Sequence, residues 1–274
     1  MQPLSRAKRR IYLYGLTLLF IMFIPIVALY ATGYRYKNGF GLVQTGGIYV
    51  SVPYSGASVA LDGKSIGQSG FLERSFFVDN LTPGAYRMSA TRLGFIPWHR
   101  VLVVEPRLVT DASVLLIPEH IQVVHIVAGG ASNSTSTLSV SQAAYASYRA
   151  AFSLLSASTS VSALAGEVAL VKDGNVYVRW SDPSALPPST FCGRPSYCTN
   201  EIALEQGTST AISAAFFGGG VVYATKEQGV FFTEVDARPN AVVAALYLQG
   251  GADFRIVNGA LVVKDGVSYY LINL

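Results

Sequence analysis

Residues 45–70 read TGGIYVSVPYSGASVALDGKSIGQSG, and the spacing of their apolar side chains decides the fold class. Ile48, Val50 and Val52, then Val59 and Leu61, occupy every second position, the period of a strand with one buried face; a helix would group them at steps of three and four. Pro53 to Gly56 and the pair Asp62-Gly63 interrupt the alternation with turn formers. Asp-Gly suits a two-residue hairpin turn because Gly, and to a lesser degree Asp, accepts positive φ. The stretch therefore begins a β unit built from hairpins.

Reading outward, residues 76–118 continue FFVDNLTPGAYRMSATRLGFIPWHRVLVVEPRLVTDASVLLIP. Leu81-Thr82-Pro83-Gly84 supplies a reversal before Tyr86, Met88 and Ala90, with Gly84 expected at a positive-φ turn position. Gly94 to Trp98 supplies another before Val101 to Val104 and Val114 to Ile117. About six short strands over residues 46–118 make a small antiparallel β-sandwich. In this stretch the chain resembles the PEGA domain, a β-sandwich module of microbial surface proteins. The motifs that carry the resemblance are Ser51 to Ala57, Val59 to Lys64 with Gly67, Leu81 to Tyr86, and Gly94 to Trp98. The chain departs from the pattern in the longer first turn, Pro53 to Ala57, and in Gln68-Ser69-Gly70 after the hairpin glycine. The resemblance implies a sandwich fold and no catalytic residue, because the shared positions are Gly, Pro and core aromatics.

Two aromatics in this unit are candidate ligand contacts. Trp98 stands between Pro97 and His99 at the entry to a strand; it could stack on a sugar face, but such a Trp is more often a core or domain-junction plug. Tyr54, at the tip of the first turn, has less core to pack against and is the better candidate.

Ahead of the β unit, Ile11 to Ala31 form an uncharged apolar run of 21 residues. As a helix this reaches about 31 Å, against roughly 30 Å for the hydrocarbon core of a bilayer. Arg6, Lys8, Arg9 and Arg10 precede the run with no acid among them, whereas only Arg35 and Lys37 follow closely. The positive-inside rule then keeps residues 1–10 in the cytoplasm and exports the rest. The run exceeds the h-region of a cleaved signal peptide, so the expectation is an uncleaved, single-pass anchor, followed by a juxtamembrane linker over 32–45. The formal charge of +4 lies entirely in that tail: residues 11–274 hold 16 Lys and Arg against 16 Asp and Glu. No clustered basic surface for nucleic acid is visible.

Composition changes after Pro118. Residues 131–165 contain 11 Ser, so 119–165 reads as a Ser/Ala-rich linker. Within it Tyr145, Tyr148, Phe152 and Leu155 recur at steps of three and four, which predicts a helix over 142–156 docked on its own β domain. From 166 to 274, Val171 to Tyr177 and Val263 to Tyr269 repeat a strand, turn, strand pattern, with a looser copy from Val221 to Phe232. These hairpins are similar to irregular propeller blades. The 156 residues after Pro118 are few for a ring of four to eight blades of about 40–45 residues each. The stretch GVFFTEVDARPN at 229–240 and the terminal VVKDGVSYYLINL resemble the region that follows the PEGA module in single-pass bacterial envelope proteins.

Cys192 and Cys198, the only cysteines, lie in a turn-rich loop; outside the cytoplasm such a pair most simply forms a local disulfide. His99, His120 and His125 are remote from them in sequence, and the spacing is not CxxC, so neither a metal site nor a redox pair is expected. The chain has no nucleophile elbow, His-Glu-x-x-His, phosphate loop or dinucleotide fingerprint. Glu234 and Asp236 alternate, so a paired carboxylate site is conceivable, but solvated strand carboxylates are far commoner. The sequence thus predicts a mainly β, membrane-anchored extracytoplasmic protein, not an enzyme. Its expected role is binding or structural, tethering an envelope protein or glycan without metal or cofactor. A sensory ectodomain or an envelope hydrolase is the alternative.

Overall fold

The computed structural model describes residues 6–37, 39, 41–129, 136–153, 162–204 and 208–274. The protein is mainly β, with one apolar helix at its N-terminal end. That helix, Arg6–Ala31, is long and apolar enough to cross a membrane over Lys8–Ala31, and no part of its most apolar window is buried against the protein. Pro25 lies inside it, a defect that membrane helices tolerate because neighbouring groups re-satisfy the freed backbone. The stretch expected as a linker is structured: Tyr34–Lys37 pairs antiparallel with Gly41–Gln44.

The sandwich forms as its alternation demands. Its first sheet places Gly46–Ser51 between Ser75–Leu81 and Val109–Ser113; its second runs Lys64–Gln68, Ser58–Leu61, Gly84–Thr91, Trp98–Val104. All pairings are antiparallel except one, Gly46–Ser51 with Val109–Ser113, because the last strand returns alongside the first instead of closing a meander. Ile48, Val50, Val52, Val59, Met88, Trp98 and Leu102 fill the core between the sheets. Asp62 and Gly63 adopt φ of 48° and 79°, as a tight hairpin turn requires. Gly84 does not take the turn role expected of it. It begins a strand, lacks positive φ, and a Cβ there would meet nothing within 4 Å; the left-handed residue of this stretch is Asn80, at φ 56°, inside the preceding strand where its pairing with Gly46–Ser51 shifts register.

The three repeated hairpins form where the repeats lie, Glu167–Lys172 with Asn175–Trp180, Gly220–Thr225 with Gly229–Thr233, and Ala260–Asp265 with Ser268–Asn273. They belong to three separate sheets among the described residues. The last strand, Ser268–Asn273, pairs with Gln122–Ala128, the first strand after the sandwich, so the C-terminal body is fastened end to beginning. The helix expected over 142–156 spans Gln142–Ser153. Tyr145, Tyr148 and Phe152 pack on Ile126, Val262 and Tyr269; Leu155 lies outside the described residues. The helix therefore docks on its own β body.

The boundary expected at Pro118 is a shared seam. Val114 and Leu116 belong to the sandwich core, whereas Leu115 and Ile117 pack in the core of the body. Alternation along one extended segment thus feeds two cores from its two sides.

Candidate functional site at the seam

The strand Trp98–Val104 shows strict inward alternation, with Trp98, Arg100, Leu102 and Val104 all buried. Arg100 is the exception in character: a guanidinium stands where the pattern calls for an apolar residue. It cannot stay unpaired, since an isolated charge away from water costs several kcal/mol. The partners arrive from the C-terminal body, just after the strand Gly229–Thr233 ends. Glu234 Oε2 accepts a hydrogen bond from Arg100 Nη2, and Glu234 Oε1 accepts one from the Trp98 indole Nε1 at 2.9 Å. Asp236 Oδ2 lies 3.3 Å from Arg100 Nε, an ion-pair contact without hydrogen-bond geometry. Asp236 Oδ1 accepts from Arg238 Nε at 2.7 Å, and Arg238 Nη1 reaches back to the backbone carbonyl of Asp111 in the sandwich at 3.0 Å. Arg100 Nη1 donates to the carbonyls of Pro239 and Asn240.

This arrangement overturns the reading of Glu234 and Asp236 as solvated strand carboxylates. They do face the same side, but as residues only 4% and 5% exposed, and every carboxylate oxygen is engaged. Burial pushes the Glu234 carboxyl up from its ordinary value, with Asp236 adding to the rise and Arg100 and the Trp98 indole opposing it. With all four carboxylate oxygens occupied and the side chains of Arg100, Glu234, Asp236 and Arg238 buried, the cluster acts as a clasp between the two β units. Trp98 is fully buried in it, so the junction-plug reading describes its place, and a sugar could not stack on it.

The disulfide joins the same seam. Cys192 and Cys198 are bonded and sit opposite each other in a short hairpin, Cys192–Arg194 with Tyr197–Cys198. The loop is not free: Ser196 donates from its backbone N and its Oγ to the Glu105 carboxylate at 2.9 and 2.8 Å, and Ser189 Oγ donates to Asp111 at 2.9 Å. The staple holds a buttress against the sandwich.

Tyr54 lies elsewhere along the seam. It is half-buried, packs on the sandwich core and lies 6.1 Å from the Phe95 ring. With Phe95, Arg92, Leu115, Ile117 and Phe217 it lines a largely apolar cleft of about 410 Å³ between sandwich and body. Burial raises the Tyr54 hydroxyl above its ordinary range, with Leu116 backbone hydrogen bonding and nearby Arg92 opposing. Arg92 stacks over Phe95 at 4.5 Å and forms no ion pair among the described residues. The structure brings Tyr54 to a concave surface, Trp98 to the clasp and the cysteines to the buttress. Arg100 went unnoticed in the sequence, although the string Trp98-x-Arg100-x-Leu102-x-Val104 carries the signal, a charge in phase with a buried face.

The chain matches no known family model, and no curated protein matches it.

Proposed function

We propose that the chain is a membrane-anchored extracytoplasmic protein of the cell envelope, whose two β units form one arm that binds or tethers an envelope protein or glycan. The observation that carries this reading is the contrast between the helix and the remainder. The apolar side chains of Ile11 to Leu29 are exposed, none of them buried in the protein, and a stripe of this length needs lipid as its solvent. From Gly46 onward most of the strands turn one apolar face into cores that meet across a buried clasp, with large side chains such as Leu93 left exposed singly. The basic residues Arg6 to Arg10 put the N-terminus in the cytoplasm and the arm outside, where the Cys192–Cys198 bond can persist. The PEGA-like motifs fit a surface module of this kind. The cleft beside Tyr54 is the contact surface we assign to the tethered partner, since concave apolar surfaces with a few polar groups are where ligands seat.

Two measurements test the reading. A reporter active only outside the cytoplasm, fused after Leu274, should be active; an expressed but inactive fusion would remove the topology. Detergent-solubilised full-length protein should retain a component of envelope extract, and Tyr54→Ala with Arg92→Ala should release it. Equal retention by the variant would remove the cleft from the account.

A further inference from the structure

The connection between the helix and the sandwich is built as a clamp. Three residues after Ala31 the chain enters the hairpin Tyr34–Lys37 and Gly41–Gln44. Its base is fixed to the helix exit, because Thr45 donates to the Gly33 carbonyl from its backbone N at 3.0 Å and from its Oγ1 at 3.1 Å. Arg35 locks the other face. Its guanidinium lies 3.7 Å from the centre of the Tyr30 ring, its Nη1 donates to the carbonyls of Tyr30 and Tyr34 at 2.8 and 2.9 Å, and its Nε donates to Asn80 Oδ1 of the sandwich at 3.0 Å. One side chain thus ties the last turn of the helix, the hairpin and a sandwich strand together.

Among the described residues the hairpin's outer face is exposed. Tyr36 and Leu42 are direct cross-strand partners and are 76% and 59% exposed, while Arg35 and Val43 on the other face are half-buried. Tyr36 is five residues beyond Ala31, so it stands at most roughly 18 Å from the end of the helix, and the Thr45–Gly33 hydrogen bonds tie the hairpin's base to the helix exit. Arg107 lies at the hairpin's base, its backbone N–H donating to the Thr45 carbonyl at 2.9 Å, and Lys37 sits at the hairpin's turn end, paired with Gly41. Neither forms an ion pair among the described residues; the acids at this corner are Asp79 on the strand Ser75–Leu81 and Glu105, whose carboxylate is held by Ser196.

We infer that this hairpin is a membrane seat: the Tyr36 and Leu42 face sinks into the lipid interface, Lys37 and Arg107 meet the phosphates, and the arm stands at a fixed angle on the bilayer. The occupant is the bilayer that the helix itself crosses, so the inference rests on the anchored reading above. Tyr at the headgroup level and an apolar neighbour beside it suit that environment, and cations near the surface are drawn to anionic headgroups.

The test uses the full chain in phosphatidylcholine vesicles containing phosphatidylglycerol, with acyl chains brominated close to the headgroup. One tryptophan is added at a time, at Leu42, at Leu29 inside the span, or at Leu93, which is 99% exposed and lies in the turn after Gly84–Thr91, at the far end of the sandwich; each signal is read as the difference from the parent chain, whose Trp98 and Trp180 set the background. The bromines should quench Leu42→Trp and Leu29→Trp and shift their emission to the blue, while leaving Leu93→Trp at the emission of a water-exposed indole. Quenching of Leu29→Trp without quenching of Leu42→Trp would overturn the seat and leave the anchor standing. Loss of quenching at both would overturn the anchor. Tyr36→Trp repeats the measurement from the other strand, so misfolding of one variant does not decide the matter.

Discussion

Arg100 and Arg179 each place a guanidinium against a glutamate carboxylate, Glu234 and Glu201, but in opposite surroundings. The Arg100 side chain has no exposure and that of Glu234 has 6%, whereas Arg179 and Glu201 are 51% and 37% exposed. The exposed pair has good geometry, with Nε and Nη2 at 2.8 and 2.6 Å from one oxygen, and it joins two neighbouring strands that already pair through their backbones. Water screens it, and holding two long side chains still costs entropy. The buried pair joins elements more than 130 residues apart in sequence and has no water to fall back on. Geometry alone therefore does not rank the two; what happens to the surviving partner does.

The largest effect should follow removal of the buried cation. Arg100→Ala leaves two carboxylates facing each other without their shared counter-ion, and should cost about 3–5 kcal/mol of unfolding free energy in urea denaturation. A loss no greater than that of an exposed pair would erase the contrast. Opening the buttress comes next. Cys192→Ser with Cys198→Ser should cost about 2 kcal/mol, and hydrogen exchange should quicken first at 192–198 and at the facing strand around Glu105. Uniform acceleration over the whole chain would show that the staple is global.

Glu234→Gln is milder, about 1–2 kcal/mol, because the amide oxygen still accepts from Trp98 while the ionic contact to Arg100 weakens. It also isolates a pH effect. Because the Glu234 carboxyl is held above its ordinary 4.5, the folded state binds that proton more tightly than the unfolded chain. The stability so contributed is full below pH 4.5 and is lost as pH rises through the folded value. Stability of the native chain should fall across that window relative to Glu234→Gln; parallel curves would mean that Glu234 titrates normally. Smallest of all, Arg179→Ala should change stability by less than about 1 kcal/mol and weaken further in high salt.

The same contrast explains what could be read from the sequence. The hairpins, the sandwich and the apolar helix were legible because period-2 and long apolar patterns report local burial, and the Asp62-Gly63 turn because its chemistry is local. The clasp was not. Glu234 and Asp236 look like any exposed strand pair until Arg100 and Trp98 are brought to them across the chain, and nothing in their own neighbourhood reports that arrival. Gly84 misled for a related reason: Pro-Gly is turn chemistry, but Gly84 opens a strand and lacks positive φ. The linker over 32–45 failed as a reading because Arg35 gains its partners only when Tyr30 and Asn80 converge on it.

The buried clasp makes the sandwich and the C-terminal body one cooperative unit. Hydrogen exchange of the full chain in increasing urea tests it most directly. The slowest amides of Gly46–Ser51, in the sandwich, and of Gly220–Thr225, in the body, should converge on one opening free energy and one urea dependence. Sandwich amides that open at a distinctly lower free energy, while those of the body stay closed, would contradict it.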